Sequence, residues 1–361
     1  MLKRGIWILG LIILAITLAG CFQGEQSLEE MDPPQDAEAV DNLDGLKTEE
    51  NDEVNDDADE NMEDSDQTAE TIPRELYLID ANGLVAAQTL ELPAPESNEV
   101  AQQVLEHLVK GGPVTPMLPN GFQAVLPEGT EVLGVNLQED GIMVVDFSNE
   151  FADYEAEDEI KIVESVTYTL TQFENVHEVQ LQMNGHPLRE MPVNGTPIGE
   201  SYSRGNGINV MDTDLNIMNS QAVTMYYPAE HNENRYYVPV TQYVKDEGEN
   251  KYTSIVQGLL EGPGLQSNVI HVFNAETMLT NEPSLEDGVL DLTFSEEILQ
   301  DREQSIISDE VMETIVRTLT ENQEIEAINV NVENVEQLVN ENGEAYNEPV
   351  TNQYFLPPQE V

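Results

Sequence analysis

Hydrophobic and polar positions from Leu76 onward follow two periods, one suited to strands and one to helices. Leu76-Tyr77-Leu78-Ile79 and the run from Leu84 to Leu92 are strand-prone, and Asn82-Gly83 between them predicts a tight hairpin turn. Asn98 is placed to cap a helix whose apolar face is Val100, Val104, Leu105 and Leu108. Gly111-Gly112-Pro113 ends that helix, glycine supplying a left-handed cap and proline blocking continuation. Two more strands are expected at Glu131 to Leu137 and Ile142 to Phe147, joined through Asp140-Gly141. A second helix carries Ile162, Val163, Val166, Leu170 and Phe173, and an alternating strand follows with Val179, Leu181 and Met183.

The same order then recurs. Val223 to Tyr227 and Tyr236 to Val244 answer the first hairpin, and Ile255, Val256, Leu259 and Leu260 before Gly262-Pro263 answer the first helix. Glu286-Asp287-Gly288 repeats the turn between the middle strands. Val289 to Phe294 then matches Ile142 to Phe147. Ile307, Val311, Ile315, Val316 and Leu319 form the second helical face, and Ile328, Val330 and Val332 the closing strand. The copies span about residues 74–188 and 221–335, so each is a domain and not a solenoid unit.

These elements predict an α+β fold: two tandem copies of a small mixed or antiparallel sheet, each ordered ββαββαβ, with two helices packed on one face. The domains are expected at 73–193 and 220–340. Residues 194–219, rich in Gly, Asn and Ser, read as a linker or long surface loop, and 341–361 as a C-terminal tail.

Composition changes the picture at the N-terminus. Residues 1–21 carry Lys3 and Arg4, a nearly unbroken apolar run from Ile6 to Leu18, and then Leu18-Ala19-Gly20-Cys21, the layout of an export signal. The last four residues resemble the bacterial lipobox. That resemblance implies cleavage before Cys21 and diacylation of its sulfur, which anchors a protein stably to a membrane. A plain spanning anchor is the competing reading, for which the apolar run is short. Cys21 is the only cysteine in the chain, which excludes cysteine catalysis and an intramolecular disulfide.

Residues 22–72 form an acidic segment. Phe22 to Thr71 hold 20 Asp+Glu and one base, Lys47. Such a composition buries too little apolar surface to offset its ordering entropy, so a disordered tether is expected. The whole chain carries 71 Asp+Glu against 13 Lys+Arg, a net charge of −58, which argues against nucleic-acid binding. The acid excess outside the tether is read as a hydrated surface suited to a saline or alkaline habitat.

No catalytic constellation presents itself in the sequence. His107, His177, His186, His231 and His271 have no helical i, i+3 or i, i+4 pairing, and no nucleophile elbow or phosphate loop occurs. No cofactor, metal or catalytic residue is therefore expected. Ser148 and Ser295, each after a strand-ending phenylalanine, read as capping or turn residues. The carboxylates from Glu150 to Glu159 read as a solvated cluster, with a calcium site as the alternative. Tyr226, Tyr227, Tyr236 and Tyr237 lie in the second copy's hairpin, and alternation on paired strands is expected to gather several of them on one face. Packing and contact with a protein or glycan are the two readings of that group.

A lipobox, an acidic spacer and two copies of helix–Leu-(Leu/Val)-x-Gly-Pro, strand–Phe-Ser and helix together resemble the GerM family of sporulation and germination lipoproteins, each copy being similar to a GerMN domain. The first copy's Gly111-Gly112-Pro113 is one residue longer than the Gly-Pro pattern. The resemblance implies a protein of spore formation and germination on the extracytoplasmic face of the membrane, in the outer forespore membrane. It implies a scaffold or assembly role beside a forespore channel, with other envelope or channel proteins as partners. The competing expectation is a binding module for peptidoglycan fragments or a solute, for which a concave site between the copies is required.

Overall fold

The computed structural model describes residues 71–94, 100–210, 220–245, 250–264 and 268–355. The signal, Leu18, Ala19, Gly20 and Cys21, nearly all of the acidic segment, and Asn98 lie outside the described residues.

In the first copy, strands β1 (Thr71–Ile79) and β2 (Val85–Pro93) pair antiparallel, with Gly83 at φ 80° in the turn. Helix α1 (Val100–Glu106) follows, then β3 (Val132–Leu137) and β4 (Ile142–Phe147), antiparallel through the Asp140-Gly141 turn. Helix α2 (Glu159–Leu170) crosses over to β5 (Glu178–Met183), which lies parallel to β4. Short strands β6 (His186–Pro187) and β7 (Tyr202–Ser203) add to β5.

The second copy repeats this order. Strands β8 (Ser220–His231) and β9 (Asn234–Lys245) form the hairpin, followed by α3 (Lys251–Glu261), β10 (Ser284–Glu286), β11 (Val289–Phe294), α4 (Asp309–Thr320) and β12 (Ala327–Val332). Again β10 runs antiparallel and β12 parallel to β11.

The fold is thus α+β with two small mixed units, and hydrogen bonding divides the strands of each copy further than the pattern alone suggests. Each first hairpin is a sheet of its own, and the remaining strands form a separate mixed sheet. The parallel step arises because a helix, not a turn, links β4 to β5 and β11 to β12. Pro228 and Pro239 interrupt neither long strand. Their partners across the ribbon are Tyr237 and Tyr226, two pairs of the same parity. The Pro228 carbonyl faces outward to accept from the Ile270 N–H at 2.7 Å, so proline there costs no ladder bond.

The helical stripes bury as their spacing predicts: Ile162, Val163, Val166 and Leu170 in α2, and Val311, Ile315, Val316 and Leu319 in α4. Phe147 and Phe294, at matching strand ends, are fully buried. Phe147 stacks on Phe151 with centroids 4.6 Å apart. One contiguous apolar core runs through both copies.

Each copy also pins its hairpin to its second helix with the same bond. The Tyr77 N–H donates to the Thr169 hydroxyl and the Tyr226 N–H to the Thr318 hydroxyl, both at 3.0 Å and both across 92 residues. Ser148 and Ser295 depart from the capping role expected of them. Neither side chain caps the short helix that follows. Their hydroxyls accept instead from the Glu131 and Met278 N–H groups, fastening the chain where it approaches β4 and β11.

The carboxylate-rich loop is ordered by pairing. Asp158 meets Lys110 and Lys161, and buried Glu159 accepts from the backbone N–H groups of Val193, Asn194 and Thr196. The tail packs back: Val350 exchanges hydrogen bonds of 2.8 and 2.9 Å with Ile328 on the free side of β12, and Phe355 packs against the core. Among the described residues no helix is long and apolar enough to cross a membrane.

Candidate functional site

The two copies meet along β2 and β9, and the segment between the copies is drawn into that seam. Thr241 and Ile208 exchange backbone and side-chain bonds: the Thr241 N–H donates to the Ile208 carbonyl and the Ile208 N–H to the Thr241 hydroxyl, each at 2.9 Å. Gly207 makes the approach possible. It sits at φ 90°, and a Cβ there would stand 3.1 Å from the Thr241 hydroxyl. Asn209, itself left-handed at φ 45°, then works as a peg. Its amide donates to the Val85 and Pro239 carbonyls at 2.7 Å each and accepts from the Val85 N–H at 2.9 Å. One side chain thereby joins both hairpins.

Two further ties cross the seam. The Tyr236 hydroxyl donates to buried Asp80 at 2.8 Å, and its ring meets Phe122 edge-on at 4.7 Å. Arg204 lies over the Tyr168 ring, 4.6 Å from its centroid. Its guanidinium donates to the Thr171 hydroxyl and the Tyr168 carbonyl of the first copy and to Glu321 of the second, the last at 2.7 Å. Planar guanidinium geometry suits such a three-way junction.

Beside this seam opens a cleft of about 520 Å³ lined from both copies. Glu75, Tyr77, Gln88 and Thr89 come from the first hairpin. Tyr226, Arg235 and Tyr237 come from the second hairpin, and Asp309, Glu310, Glu313 and Arg317 from α4. Asn352 and Phe355 of the tail form part of the rim. Arg317 donates to Glu313 at 2.7 Å and lies 4.9 Å over the Tyr237 ring. Arg235 pairs with Glu230 and Glu310. Burial pushes the Glu75 carboxyl above its ordinary range, with Arg317 and Arg204 pulling it back in part. Burial likewise raises the Tyr77, Tyr226 and Tyr237 hydroxyls, so all three are neutral donors.

The tyrosines expected together divide between two faces. Tyr226 and Tyr237 share one face of the ribbon, toward α4 and the cleft. Tyr227 and Tyr236 share the other, because neighbours along a strand point oppositely. Tyr227 is fully buried, accepts from Gln242 and offers no surface to a partner. Tyr236 also reaches the cleft wall but is fixed by Asp80. The residues that the pattern did not single out are Asp80, Arg204, Asn209 and Arg317. For the two arginines the signal was scarcity: in so acidic a chain, a lone base such as Arg204 in an apparent linker has many acids to answer.

The histidines stay dispersed, and among the described residues no group of three or more His, Cys, Asp or Glu is placed to hold a metal ion.

The chain matches the Germane family (sporulation and spore germination) over residues 75–189 and 224–338, the two structural copies. It is 43% identical to the spore germination protein GerM of Bacillus subtilis (strain 168) over 366 residues, covering 97% of each chain. It also superposes on the solved tandem GerMN domains of the sporulation protein GerM from Bacillus subtilis, with a TM-score of 0.72 and 45% identity. That match covers 78% of this chain and 96% of the other. With the duplicated ββαββαβ unit, the repeated tyrosine–threonine pins and full-length identity in agreement, the chain belongs to the GerM family of sporulation and spore germination proteins.

Proposed function

We propose that this chain is a lipid-anchored, non-enzymatic scaffold or assembly factor for a forespore channel complex, held at the extracytoplasmic membrane face through Cys21. The observation that supports it best is the seam. Asn209, Arg204 and the Tyr236–Asp80 bond tie the two copies into one body, which presents two domains at a fixed spacing. Fixed spacing suits a part that sets the positions of other envelope proteins. The acidic segment ahead of Thr71 supplies reach from the membrane, since self-repelling charged chain is extended.

The test is deletion of the gene in its host, scored through spore formation and germination. Arrest after engulfment, or defective spores, is expected, with rescue by the intact gene and not by Cys21→Ser. Cys21→Ser is expected to accumulate uncleaved precursor without fatty-acid label. Normal spores from the deletion would remove the scaffold role. Normal labelling of Cys21→Ser would remove the anchor.

A further inference from the structure

We propose that the cleft between the two copies binds a neutral saccharide of one or two rings. This goes beyond the scaffold reading and does not depend on it. The arginines around the cleft are already matched within the protein: Arg235 with Glu230 and Glu310, Arg317 with Glu313, and Arg204 with Glu321. An anionic ligand would have to break one of these pairs and leave its partner uncompensated, and a cation is the alternative that trilysine tests. A neutral ligand need break none.

The matched pairs still offer hydrogen-bonding capacity. A guanidinium has five N–H donors and a carboxylate about four lone-pair sites, and Arg317 commits its Nε to Glu313. Between the pairs stand uncharged groups that donate or accept, Gln88, Thr89, Thr320 and Asn352. Each sugar hydroxyl both donates and accepts, so a ring of hydroxyls fits a wall where the two kinds of group alternate. Two acceptors in the cleft stand outside these ion pairs. Glu75 is half-buried, and Asp309 Oδ1 is buried with no donor among the described residues. Both suit hydroxyl or amide N–H donors of a ligand.

The apolar part of the lining comes from Ala87, Pro228 and Phe355 together with the tyrosine rings of the two hairpins, flat surfaces that suit the C–H face of a pyranose. The volume falls in the range of small-ligand sites, which is roughly 300–1,000 Å³.

The experiment titrates the full chain in detergent with N,N′-diacetylchitobiose, with maltose and with trilysine, read by calorimetry and ligand-observed NMR. Saturable binding of either disaccharide is expected. Preference for the first identifies an acetamido sugar, and for the second a plain hexose. Arg317→Ala is expected to weaken binding at least about tenfold, as for loss of a hydrogen bond to a charged group. Because that change also removes an internal ion pair, Thr89→Trp serves as a second variant, filling the cleft from an exposed position while removing no bond. It is expected to abolish binding, and Arg189→Ala, in an exposed pair away from the cleft, to leave it unchanged. The proposal is overturned if neither disaccharide saturates up to its solubility limit, if Thr89→Trp binds like the parent, or if trilysine binds in their place.

Discussion

Arg204 and Glu321 stand 2.7 Å apart across the seam, each about three-quarters buried, and belong to segments 117 residues apart in sequence. The pair therefore reports on whether the copies are joined. Arg204→Ala removes this bond, two further donations and the stacking over Tyr168. A loss of about 3 kcal/mol is expected, as for a broken, largely desolvated pair. Denaturant unfolding should broaden or split into two steps as the copies uncouple. Arg204→Lys should recover only part, since an ammonium cannot bridge three acceptors in a plane. A single unshifted transition in Arg204→Ala would show that the copies are held elsewhere.

Thr169 and Thr318 test the duplication bond by bond. Replacing either by valine keeps the volume and strands the Tyr77 or Tyr226 N–H in a buried site. Each change is expected to cost about 1–3 kcal/mol, the penalty of an unsatisfied buried donor. Similar losses from the two positions, measured by urea midpoint, would confirm equivalent roles.

Phe147→Ala and Phe294→Ala are each expected to cost about 3–5 kcal/mol by opening a core cavity. Both rings are fully buried at the same strand end. Near-neutral midpoints would contradict that placement.

Glu164 makes stability depend on pH. Desolvation raises its carboxyl from 4.5 to about 7, while the Asn209 N–H and Lys161 oppose the shift. Tyr168 and Tyr202 also face it. A carboxyl that protonates more readily folded than unfolded favours folding fully below the unfolded value. That contribution is lost as pH rises through the folded one. Glu164→Gln should therefore match the parent near pH 4.5 and exceed it by up to about 3 kcal/mol at pH 8. Parallel pH profiles of thermal melting would refute this.

Glu159 has the opposite sign. Burial alone would raise it, but the Asn194 and Thr196 N–H groups, the Thr196 hydroxyl and Tyr154 hold it down at about 2. Its contribution is present above the unfolded value near 4.5 and lost as pH falls through about 2. Glu159→Gln should destabilise by about 2–3 kcal/mol at pH 7 and progressively less toward pH 2. Proteolysis of the loop at Val193 to Thr196 should quicken in the same variant.

The internal order of each copy was legible because short-range rules govern it. Asn82-Gly83, Asp140-Gly141 and Asp287-Gly288 mark their turns with φ of 80–84° at the glycine, and the helical stripes bury on schedule. The separation of each hairpin from its neighbouring sheet was not legible, because periodicity says which face is apolar and not which edge is paired. The seam was harder still. Asp80 and Tyr236 lie 156 residues apart, and Asn209 acts through a backbone conformation and three short bonds that no hydropathy pattern carries. Ile198, Tyr202 and Ile208 were the available signal, large apolar residues in a stretch otherwise read as linker, and all three are buried.

Covalent continuity through Arg204 to Val210 makes the meeting of β2 and β9 an intramolecular event. Its partners face each other at an effective concentration set by the connecting chain and not by the amount of protein present. Dilution does not separate them. Two unlinked single-copy chains would instead assemble only above a threshold density. The duplication thus removes abundance as a variable: a lone molecule has the same cleft and the same spacing as one in a crowd.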